Sequence, residues 1–329
     1  MSDKPRWGII GTGGIARSFA RDLVLDGHTL TAVGSRAQHT ADAFAGEFGS
    51  PTAHWSYEAL AADPDVDIVY VATPHPMHHD NAALALRHGK HVLLEKPFTI
   101  NAAEATDLVE LAGENSLVIL EAMWTRWLPH MVRIREIIAE GVLGDVRSMH
   151  ADHSQLLPAD PAHRINAPEL GGGALLDLGV YPVSFASQLF GAPEAVQAAA
   201  VPAPTGVDAQ VAAVLSYPAE ALATFQAAST MRGPNTATVT GTRGRIEIDA
   251  VWYTPTSFRV YDSSDALVES YQGPEITGRG MQFQAREMES LVRRGQLSSD
   301  VLPAGETISI METLDRIRGL IGVRYPGER

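Results

Sequence analysis

The sequence of 329 residues contains no cysteine, has a deficit of basic residues and lacks long hydrophobic runs. Without cysteine the chain cannot form disulfide bonds, thiolate zinc sites or a cysteine nucleophile. No apolar run approaches the roughly 18 residues that a membrane-spanning helix requires, so no membrane partner is expected. Because 25 Lys and Arg face 39 Asp and Glu, the formal net charge is -14. Such an acidic chain is not expected to bind nucleic acid, although local basic pockets are compatible with it.

The residues that are present have the balance of an ordinary globular protein, with 45% hydrophobic and 19% charged residues. A chain of this length usually divides into two domains, each with its own hydrophobic core. The first residues, MSDKPRWGIIG, enter a strand pattern at once and lack the features of a signal peptide. We therefore expect a soluble, cytoplasmic protein of two domains.

The first part of the chain alternates short, β-branched apolar runs with amphipathic stretches, which is typical of repeated βαβ units and a parallel sheet. The runs that predict strands are 6–10, 30–35, 66–73, 91–96 and 117–122. The stretches that predict helices are 16–25, 37–48, 79–88 and 102–112. This pattern predicts an α/β Rossmann domain over residues 1–122.

After Met123 the rhythm of the sequence changes. The predicted elements are helices at 129–140, 174–190, 282–294 and 308–321, a strand at 146–154, and at least four strands between 196 and 271. Consecutive strands joined by short turns favour antiparallel pairing. We predict an α+β domain with a largely antiparallel open sheet over residues 123–329, which binds substrate and forms the oligomer.

A glycine-rich motif, GTGGIA at 11–16, follows the first predicted strand and opens the first predicted helix. Gly11 permits the tight turn, Gly13 lets the backbone approach a pyrophosphate, and Ala16 allows the helix to pack closely on the strand. The N-terminus of the helix supplies N–H groups and a positive dipole to the anion. The alternative is a glycine-rich turn without a ligand, but the surrounding βαβ pattern favours a dinucleotide site.

The end of the second predicted strand indicates which dinucleotide is bound. An NAD site usually places Asp or Glu there to accept a hydrogen bond from the ribose 2′-hydroxyl. Here the position reads Ser35-Arg36, and a hydroxyl with a guanidinium suits a 2′-phosphate. The sequence therefore favours NADP over NAD, the alternative being that Arg36 stacks on adenine or lies in solvent.

Four segments carry a resemblance to a known family: VATPHPMHHDNAALALRHGKHVLLEKPF at 71–98, EAMWTRWLP at 121–129, GGGALLDLGVYPV at 171–183 and GTRGRIEI at 241–248. Together they resemble the glucose-fructose oxidoreductase and inositol dehydrogenase family, and most of all its branch of dimeric dihydrodiol dehydrogenases and NADP-dependent D-xylose dehydrogenases. The resemblance extends across nearly the whole chain. It implies hydride transfer between NADP and a hydroxyl or carbonyl of a sugar or cyclic diol, and a homodimer formed through the open face of the second sheet.

Lys96, Tyr181 and Asp177 are the candidate catalytic residues. Lys96 ends a parallel strand, where ligands of such sheets bind, and Pro97 fixes the turn that follows; otherwise it is a surface lysine paired with Glu95. Asp177 and Tyr181 are four residues apart on a predicted helix and share one face. The resemblance implies that Tyr181 is the general acid/base and that Lys96 lowers its pKa, while Asp177 orients the pair or holds a substrate hydroxyl. The alternatives are a locally satisfied Asp177 and a core aromatic Tyr181.

The full set of binding candidates combines the glycine motif and the end of the second strand with residues that the resemblance implies. The expected cofactor contacts are Gly11, Thr12, Gly13, Gly14, Ile15, Ser35, Arg36, Thr73, Pro74, His75, His78, Glu95, Lys96 and Arg164. The expected substrate pocket includes Trp124, Arg126 and Trp252, although tryptophans are often simply core residues. The HPMHH run at 75–79 invites a metal-site interpretation, but no acidic or cysteine partner is nearby in sequence, so no metal is expected.

Two other functions stay open on the sequence alone. One is reduction of a keto-sugar such as 1,5-anhydrofructose, which is the same chemistry in the opposite direction. The other is a non-catalytic NADP-sensing regulator, because the fold alone does not fix function. The presence of both Lys96 and Tyr181 argues against the regulator.

Overall fold

The computed structural model describes residues 4–49 and 51–328. They form two compact units, and the first contains the described residues up to Thr99 together with Ala103–Trp124 and Ile276–Thr307. The second contains Ile100–Ala102, Thr125–Glu275 and the described residues from Ile308 onward. The predicted division at residue 122 stays a prediction about domains, and the structure adds that the segment after Glu275 packs with the first unit before the chain returns to the second.

The sheet of the first unit is parallel throughout, as its sequence pattern predicts. Its strands are β1 Arg6–Ile10, β2 Thr29–Gly34, β3 Thr52–His54, β4 Ile68–Val71, β5 His91–Leu94 and β6 Ile119–Glu121. Their order is β3-β2-β1-β4-β5-β6, with every neighbouring pair parallel. The order reverses direction at β1, so the crevice at the carboxyl ends of β1 and β4 is where such a sheet binds its ligand.

The helices described by the structure are α1 Gly14–Leu25, α2 Gln38–Glu47, α3 Tyr57–Ala61, α4 His78–Arg87, α5 Ala102–Glu114, α6 Pro129–Ala139, α7 Val180–Phe190, α8 Gln282–Arg294 and α9 Ala304–Ile321. A single π-helical turn, Leu175–Gly179, precedes α7. The helix predicted at 174–190 is therefore present, but its first turn is wider than an α-helical turn.

The second unit contains a mixed sheet of the predicted, mainly antiparallel kind. Its strands are β7 Val146–Ser154, β8 Ala195–Pro202, β9 Asp208–Tyr217, β10 Ala221–Ala228, β11 Ala237–Gly241, β12 Gly244–Ile248, β13 Phe258–Asp262 and β14 Leu267–Tyr271. The order is β14-β13-β12-β11-β7-β10-β9-β8, and the pair of β10 with β7 is parallel while the other pairs are antiparallel. The predicted fold class, a Rossmann sheet and a largely antiparallel open sheet, is confirmed.

Two elements of the first unit, β3 and α3, are not predicted from the sequence pattern. Strand β3 has only three residues and α3 only five, so neither is long enough to show the period-2 or period-3.6 repeat on which such predictions depend. Conversely, the apolar run at 66–73 is longer than β4, because its first two and last two residues lie outside the strand.

Candidate active site

The glycine motif forms a tight turn between β1 and α1. Gly11 has φ +103°, and its N–H donates to the carbonyl of Gly34 at 3.0 Å. A Cβ at Gly11 would lie 2.6 Å from the carbonyl oxygen of Ala72. Only glycine fits at position 11, because the residue has a positive φ and lies where the ends of β1, β2 and β4 converge.

Gly13 and Gly14 differ from Gly11 in that nothing in the protein crowds them. Both are exposed, and a Cβ at either position would meet no protein atom within 4 Å. Gly13 is the N-cap of α1 and supplies no side-chain cap, and the first turn of α1 contains no acidic residue. An open, positively polarised helix N-terminus flanked by the half-buried Thr12 and Ile15 fits a pyrophosphate.

The end of β2 carries the residues that the sequence assigns to the adenosine ribose. Ser35 is buried, with Oγ 2.5 Å from Oγ1 of Thr40. Arg36 is exposed and its guanidinium lies near the hydroxyl of Tyr57. Where an ordinary NAD site has a carboxylate, this site presents a hydroxyl and a cation, which fits a phosphate.

His78 ties the loop after β4 to the turn that follows Lys96. Its Nδ1 lies 2.9 Å from the carbonyl oxygen of Pro97 and its Nε2 lies 2.9 Å from that of Thr73. Complete burial, helped by the charge of Lys96, lowers the pKa of His78 to about 4. The ring is therefore neutral at physiological pH and donates to one carbonyl only. The buried ring of His75 packs edge-on at 5.6 Å, while Pro74 beside it is exposed.

Lys96 lies directly after β5, half-buried, at the carboxyl edge of the sheet. Its backbone N–H donates to Oε2 of Glu95 at 3.1 Å, and the hydroxyl of Tyr70 donates to Oε1 of the same carboxylate. Glu95 is buried. This carboxylate therefore fixes the backbone from which the Lys96 side chain projects.

In the second unit, Asp177 lies in the π-helical turn and meets Arg164. The guanidinium of Arg164 lies 3.1 Å from Oδ2 of the nearly buried Asp177. A close backbone approach brings the two together, because a Cβ at Gly172 would lie 2.8 Å from the carbonyl oxygens of both Arg164 and Ile165. Gly172 is thus explained by packing against the loop that carries Arg164, while Gly171 and Gly173 have positive φ angles of 69° and 121°.

Tyr181 lies in a cluster of rings that the sequence did not reveal. The ring of His153 lies 4.9 Å from that of Tyr181 and stacks at 3.6 Å on Tyr253. The amide of Gln155 donates to Nε2 of His153 at 2.9 Å. Burial raises the pKa of Tyr253 to about 12. These residues are far apart in sequence, and only the tertiary fold of β7 and the loop after β12 could identify them as neighbours of Tyr181.

Two candidate pocket residues of the second unit pack against α7. The indole N–H of Trp252 donates to the carbonyl of Asp152 at 2.9 Å, and its ring stacks on Phe185 at 5.5 Å. Arg126 is 1% exposed and donates through Nε to Oγ of Ser184 at 3.0 Å and through Nη2 to the backbone carbonyl of Ser184. In the first unit, Trp124 follows β6 and lies beneath the guanidinium of Arg279.

Each unit gathers its own candidates. In the first, the glycine motif, Ser35, Arg36, Thr73, Glu95 and Lys96 all follow the carboxyl ends of parallel strands and therefore share one edge of the sheet. In the second, Arg164 meets Asp177, and Tyr181 lies in the ring cluster. The pairing of Lys96 with Tyr181 stays a prediction.

Neither a metal-ligand cluster nor a membrane-spanning helix occurs in the part of the chain that the structure describes. Within residues 4–49 and 51–328, no three or more His, Asp or Glu side chains are grouped so that they could hold a metal ion. In the same part of the chain, no helix has the length and apolarity to cross a membrane.

Comparisons with known proteins give both halves of the chain a family. Residues 5–122 match the model of an oxidoreductase family with an NAD-binding Rossmann fold, and residues 131–247 match the GFO/IDH/MocA C-terminal domain. A trans-1,2-dihydrobenzene-1,2-diol dehydrogenase of Mus musculus is 36% identical over 332 residues, which cover 98% of this chain and 99% of the relative. A D-xylose 1-dehydrogenase (NADP(+)) of Hypocrea jecorina is 37% identical over 366 residues, covering 98% of this chain and 93% of the relative.

A solved structure shares the whole fold. The 3-ketoreductase KijD10 of Actinomadura kijaniata, in complex with NADP and TDP-benzene, has a TM-score of 0.85 and 27% identity over 97% of this chain and 98% of its own. The two family models match residues 5–122 and 131–247, and the relatives at more than 30% identity match 98% of the chain. The chain belongs to the GFO/IDH/MocA family of NAD(P)-dependent oxidoreductases.

Proposed function

We propose that this protein is an NADP-dependent dehydrogenase or reductase that transfers hydride between nicotinamide and a secondary alcohol or carbonyl of a sugar or cyclic diol. The observation that carries the proposal is the placement of Lys96 at the carboxyl edge of a sheet with an open glycine turn. Full-length relatives named for a dihydrodiol and for D-xylose support the substrate class.

NADP is the proposed cofactor, held by residues at the edge of the first sheet. The turn from Gly11 to Ile15 would take the pyrophosphate, and Ser35 with Arg36 would take the 2′-phosphate. The proposed contacts to the rest of the cofactor are Thr73, Pro74, His75, His78, Glu95, Lys96 and Arg164. When bound, the nicotinamide supplies the carbon that accepts or returns hydride.

Tyr181 is the proposed general acid/base and Lys96 the cation that assists it. In the oxidative direction Tyr181 takes the hydroxyl proton of the substrate, while Lys96 stabilises the negative charge on the same oxygen. The neighbouring Tyr253 supports a need for a cation, because burial is the largest cause that raises the pKa of that phenol to about 12. A positive charge near a phenol favours its phenolate form, which is the role proposed for Lys96 toward Tyr181. Asp177 is proposed to orient this pair or to hold a substrate hydroxyl.

The proposed substrate pocket includes Trp124, Arg126 and Trp252. Indole faces pack well on the apolar faces of a sugar or cyclic diol. Arg126 is buried and donates to Ser184, so its proposed role is to shape the wall of the pocket. The same groups suit a keto-sugar, so a reductase of the 1,5-anhydrofructose kind is the second candidate. That candidate is favoured by the similarity to a 3-ketoreductase.

A homodimer through the second sheet is also proposed. Burial alternates along β9, β10 and β12, so one face of that sheet is covered and the other is more open. The open face presents small and polar side chains, such as Ala199, Ala212 and Gln226, that a second copy could pack against. Sedimentation at micromolar concentration should give a dimer mass, and a monomer mass would contradict the proposal.

The function is tested by following NADPH and NADH formation over aldoses, inositols, trans-dihydrodiols and anhydro-sugars, with the reverse reaction on keto-sugars. Tyr181→Phe and Lys96→Met should retain NADPH binding and lose turnover, while the neighbouring Tyr253→Phe keeps most of it. Near-normal turnover by Tyr181→Phe would show that another group moves the proton. Tight NADPH binding with no turnover on any substrate in either direction would favour a sensor.

A further inference from the structure

The segment that leads into α8 is fixed on α1 by a buried carboxylate. Asp22 of α1 is 1% exposed and accepts hydrogen bonds from the backbone N–H of Arg279, at 2.9 and 3.1 Å to its two oxygens. The N–H of Met281 donates to Oδ2 of Asp22 at 2.9 Å. Because a buried carboxylate is costly unless it is hydrogen-bonded, these bonds hold the backbone of Arg279 on α1.

From this anchor the side chain of Arg279 runs along α1 toward its N-terminus. Asp22, Ser18 and Gly14 follow one another at intervals of four residues and lie on one face of α1. The backbone of Arg279 is bound at Asp22, whereas its Nη1 lies 3.4 Å from Oγ of Ser18, one turn nearer the N-terminus. The next turn on that face begins at Gly14, so the guanidinium points to the glycine turn.

The indole ring of Trp124 also contacts the guanidinium. The Cζ atom of Arg279 lies 5.7 Å from the centroid of the indole ring, within the range of a cation–π contact. Trp124 follows β6, at the same carboxyl edge of the sheet as the glycine turn. The cation is therefore held at the nucleotide-binding edge between α1 and Trp124.

The guanidinium of Arg279 differs from those of neighbouring arginines in its ion pairing. Neighbouring arginines are paired, with Arg17 and Arg21 on Glu47. Arg279, by contrast, has no carboxylate within 4.0 Å of its guanidinium among residues 4–49 and 51–328. The nearby first turn of α1 also contains no acidic residue. Two positive features thus meet where the family binds a dinucleotide.

We infer that Arg279 binds the pyrophosphate of the dinucleotide beside the N-terminus of α1, together with the glycine turn. This inference rests on the nucleotide site described above and adds a residue that the glycine motif does not contain. A forked guanidinium suits a pyrophosphate because it can donate to oxygens of both phosphates. Arg36, at the end of β2, is assigned to the 2′-phosphate, so the two arginines have separable roles.

The test compares Arg279→Ala with Arg286→Ala. Arg286 lies on the following helix, pairs with Asp26, and carries the same charge. Dissociation constants for NADPH and NADH are measured by cofactor fluorescence, with thermal unfolding of the unliganded variants as a check of folding. Arg279→Ala should weaken both cofactors by the same factor, on the order of tenfold, the loss expected for one charge-assisted hydrogen bond. Arg286→Ala should leave both constants unchanged, and Arg279→Lys should recover part of the loss.

NADPH and NADH share the pyrophosphate and differ in the 2′-phosphate. A loss at the pyrophosphate therefore affects both cofactors, and a loss at the 2′-phosphate affects NADPH alone. Unchanged constants in Arg279→Ala, or a loss confined to NADPH, would overturn the inference, the latter because it would place the cation at the 2′-phosphate. An equal loss in Arg286→Ala would also overturn it, by showing a general charge effect. If the unmodified protein binds neither NADPH nor NADH, the nucleotide site of the proposed function is itself contradicted.

Discussion

The guanidinium of Arg164 donates a hydrogen bond of 3.1 Å to Oδ2 of Asp177. The Asp177 side chain is 5% exposed and that of Arg164 is 55% exposed, so a buried carboxylate is partnered by a cation that reaches it from solvent. A residue proposed to contact the cofactor is thereby joined to one proposed to serve in catalysis. Changing Asp177 therefore alters both the charge beside Tyr181 on the same helical segment and the position of Arg164.

Asp177→Asn keeps the shape of the side chain and removes its charge. If Asp177 orients the acid/base pair or holds a substrate hydroxyl, kcat should fall by about 100-fold, the order of loss caused by misplacing a reacting group. Arg164→Ala is the companion variant and should raise KM for NADPH more than it lowers kcat. Steady-state kinetics with thermal unfolding distinguish the alternatives. A lower unfolding temperature of Asp177→Asn with unchanged kcat would show that Asp177 is only a locally satisfied helix residue.

Two glycines of the same turn should fail in different ways when replaced by alanine. Gly11→Ala places a Cβ 2.6 Å from the Ala72 carbonyl at φ +103°, so the unliganded protein should lose roughly 1–3 kcal/mol of unfolding free energy. Gly13→Ala meets no protein atom, so it should fold normally and bind NADPH at least about tenfold more weakly, because its methyl fills space that the pyrophosphate needs.

Urea unfolding of the unliganded variants and NADPH titration check this pair. Gly11→Ala should lower the unfolding free energy, whereas Gly13→Ala should lower the affinity for NADPH. Normal NADPH affinity in Gly13→Ala would mean that the open space beside Gly13 is not the pyrophosphate site.

These glycines also show what the sequence can and cannot predict. The turn from Gly11 to Ala16, the parallel strands and the helix after residue 173 follow from local motifs and periodicity. His153 and Tyr253 escape such reasoning, because their contact with Tyr181 depends on a fold that joins residues 28 and 72 positions from it. The assignment of Lys96 and Tyr181 as a pair, 85 positions apart, likewise needs the family resemblance rather than any local pattern.

Arg36→Ala should change the preference between cofactors. Arg36 is exposed at the end of β2, with its guanidinium near the hydroxyl of Tyr57. Loss of a guanidinium from a 2′-phosphate should weaken NADPH by roughly 10- to 100-fold and leave NADH nearly unchanged. Fluorescence titration with both cofactors measures the ratio. An equal loss for both would indicate that Arg36 stacks on adenine, which the two cofactors share.

His78 should make the protein less stable in mild acid. Burial lowers its pKa to about 4, below the ordinary value of about 6.5, so between these values the unfolded chain binds a proton that the folded protein does not. Its contribution to stability is complete above about pH 6.5 and is lost as the pH falls toward 4, by at most about 1.4 kcal/mol per pH unit.

His78→Gln removes this titration and keeps a hydrogen-bond donor. Its unfolding free energy should therefore fall less steeply than that of the unmodified protein between pH 7 and 5, as measured by urea unfolding. His79→Gln, on the neighbouring residue at the surface beside Asp107, should leave the fall in place. Parallel curves for His78→Gln and the unmodified protein would contradict the assignment of a buried neutral ring.

Asp208 should make the protein less stable as the pH rises, which is opposite to the effect of His78. It contacts the segment that carries Asp177 and Tyr181. Its Oδ2 accepts the N–H of Leu175 at 2.6 Å, and Tyr325 donates to the neighbouring Gly172 carbonyl at 2.6 Å. Burial raises the pKa of Asp208 to about 7, so in the folded protein it holds a proton that the unfolded chain releases near pH 4.

The sign of the effect follows from the proton balance. Where the folded state binds more protons, stability falls as pH rises, so the contribution of protonated Asp208 is present below about pH 4 and is lost by about pH 7. Asp208→Asn stays neutral and should gain stability relative to the unmodified protein from pH 5 to 7, by at most about 1.4 kcal/mol per pH unit. Urea unfolding at pH 5, 6, 7 and 8 measures the difference, with the exposed Asp300→Asn as the control that should show none. A difference that is constant with pH would mean that Asp208 is already ionised at pH 5 and that its unbonded Oδ1 is solvated in the folded protein.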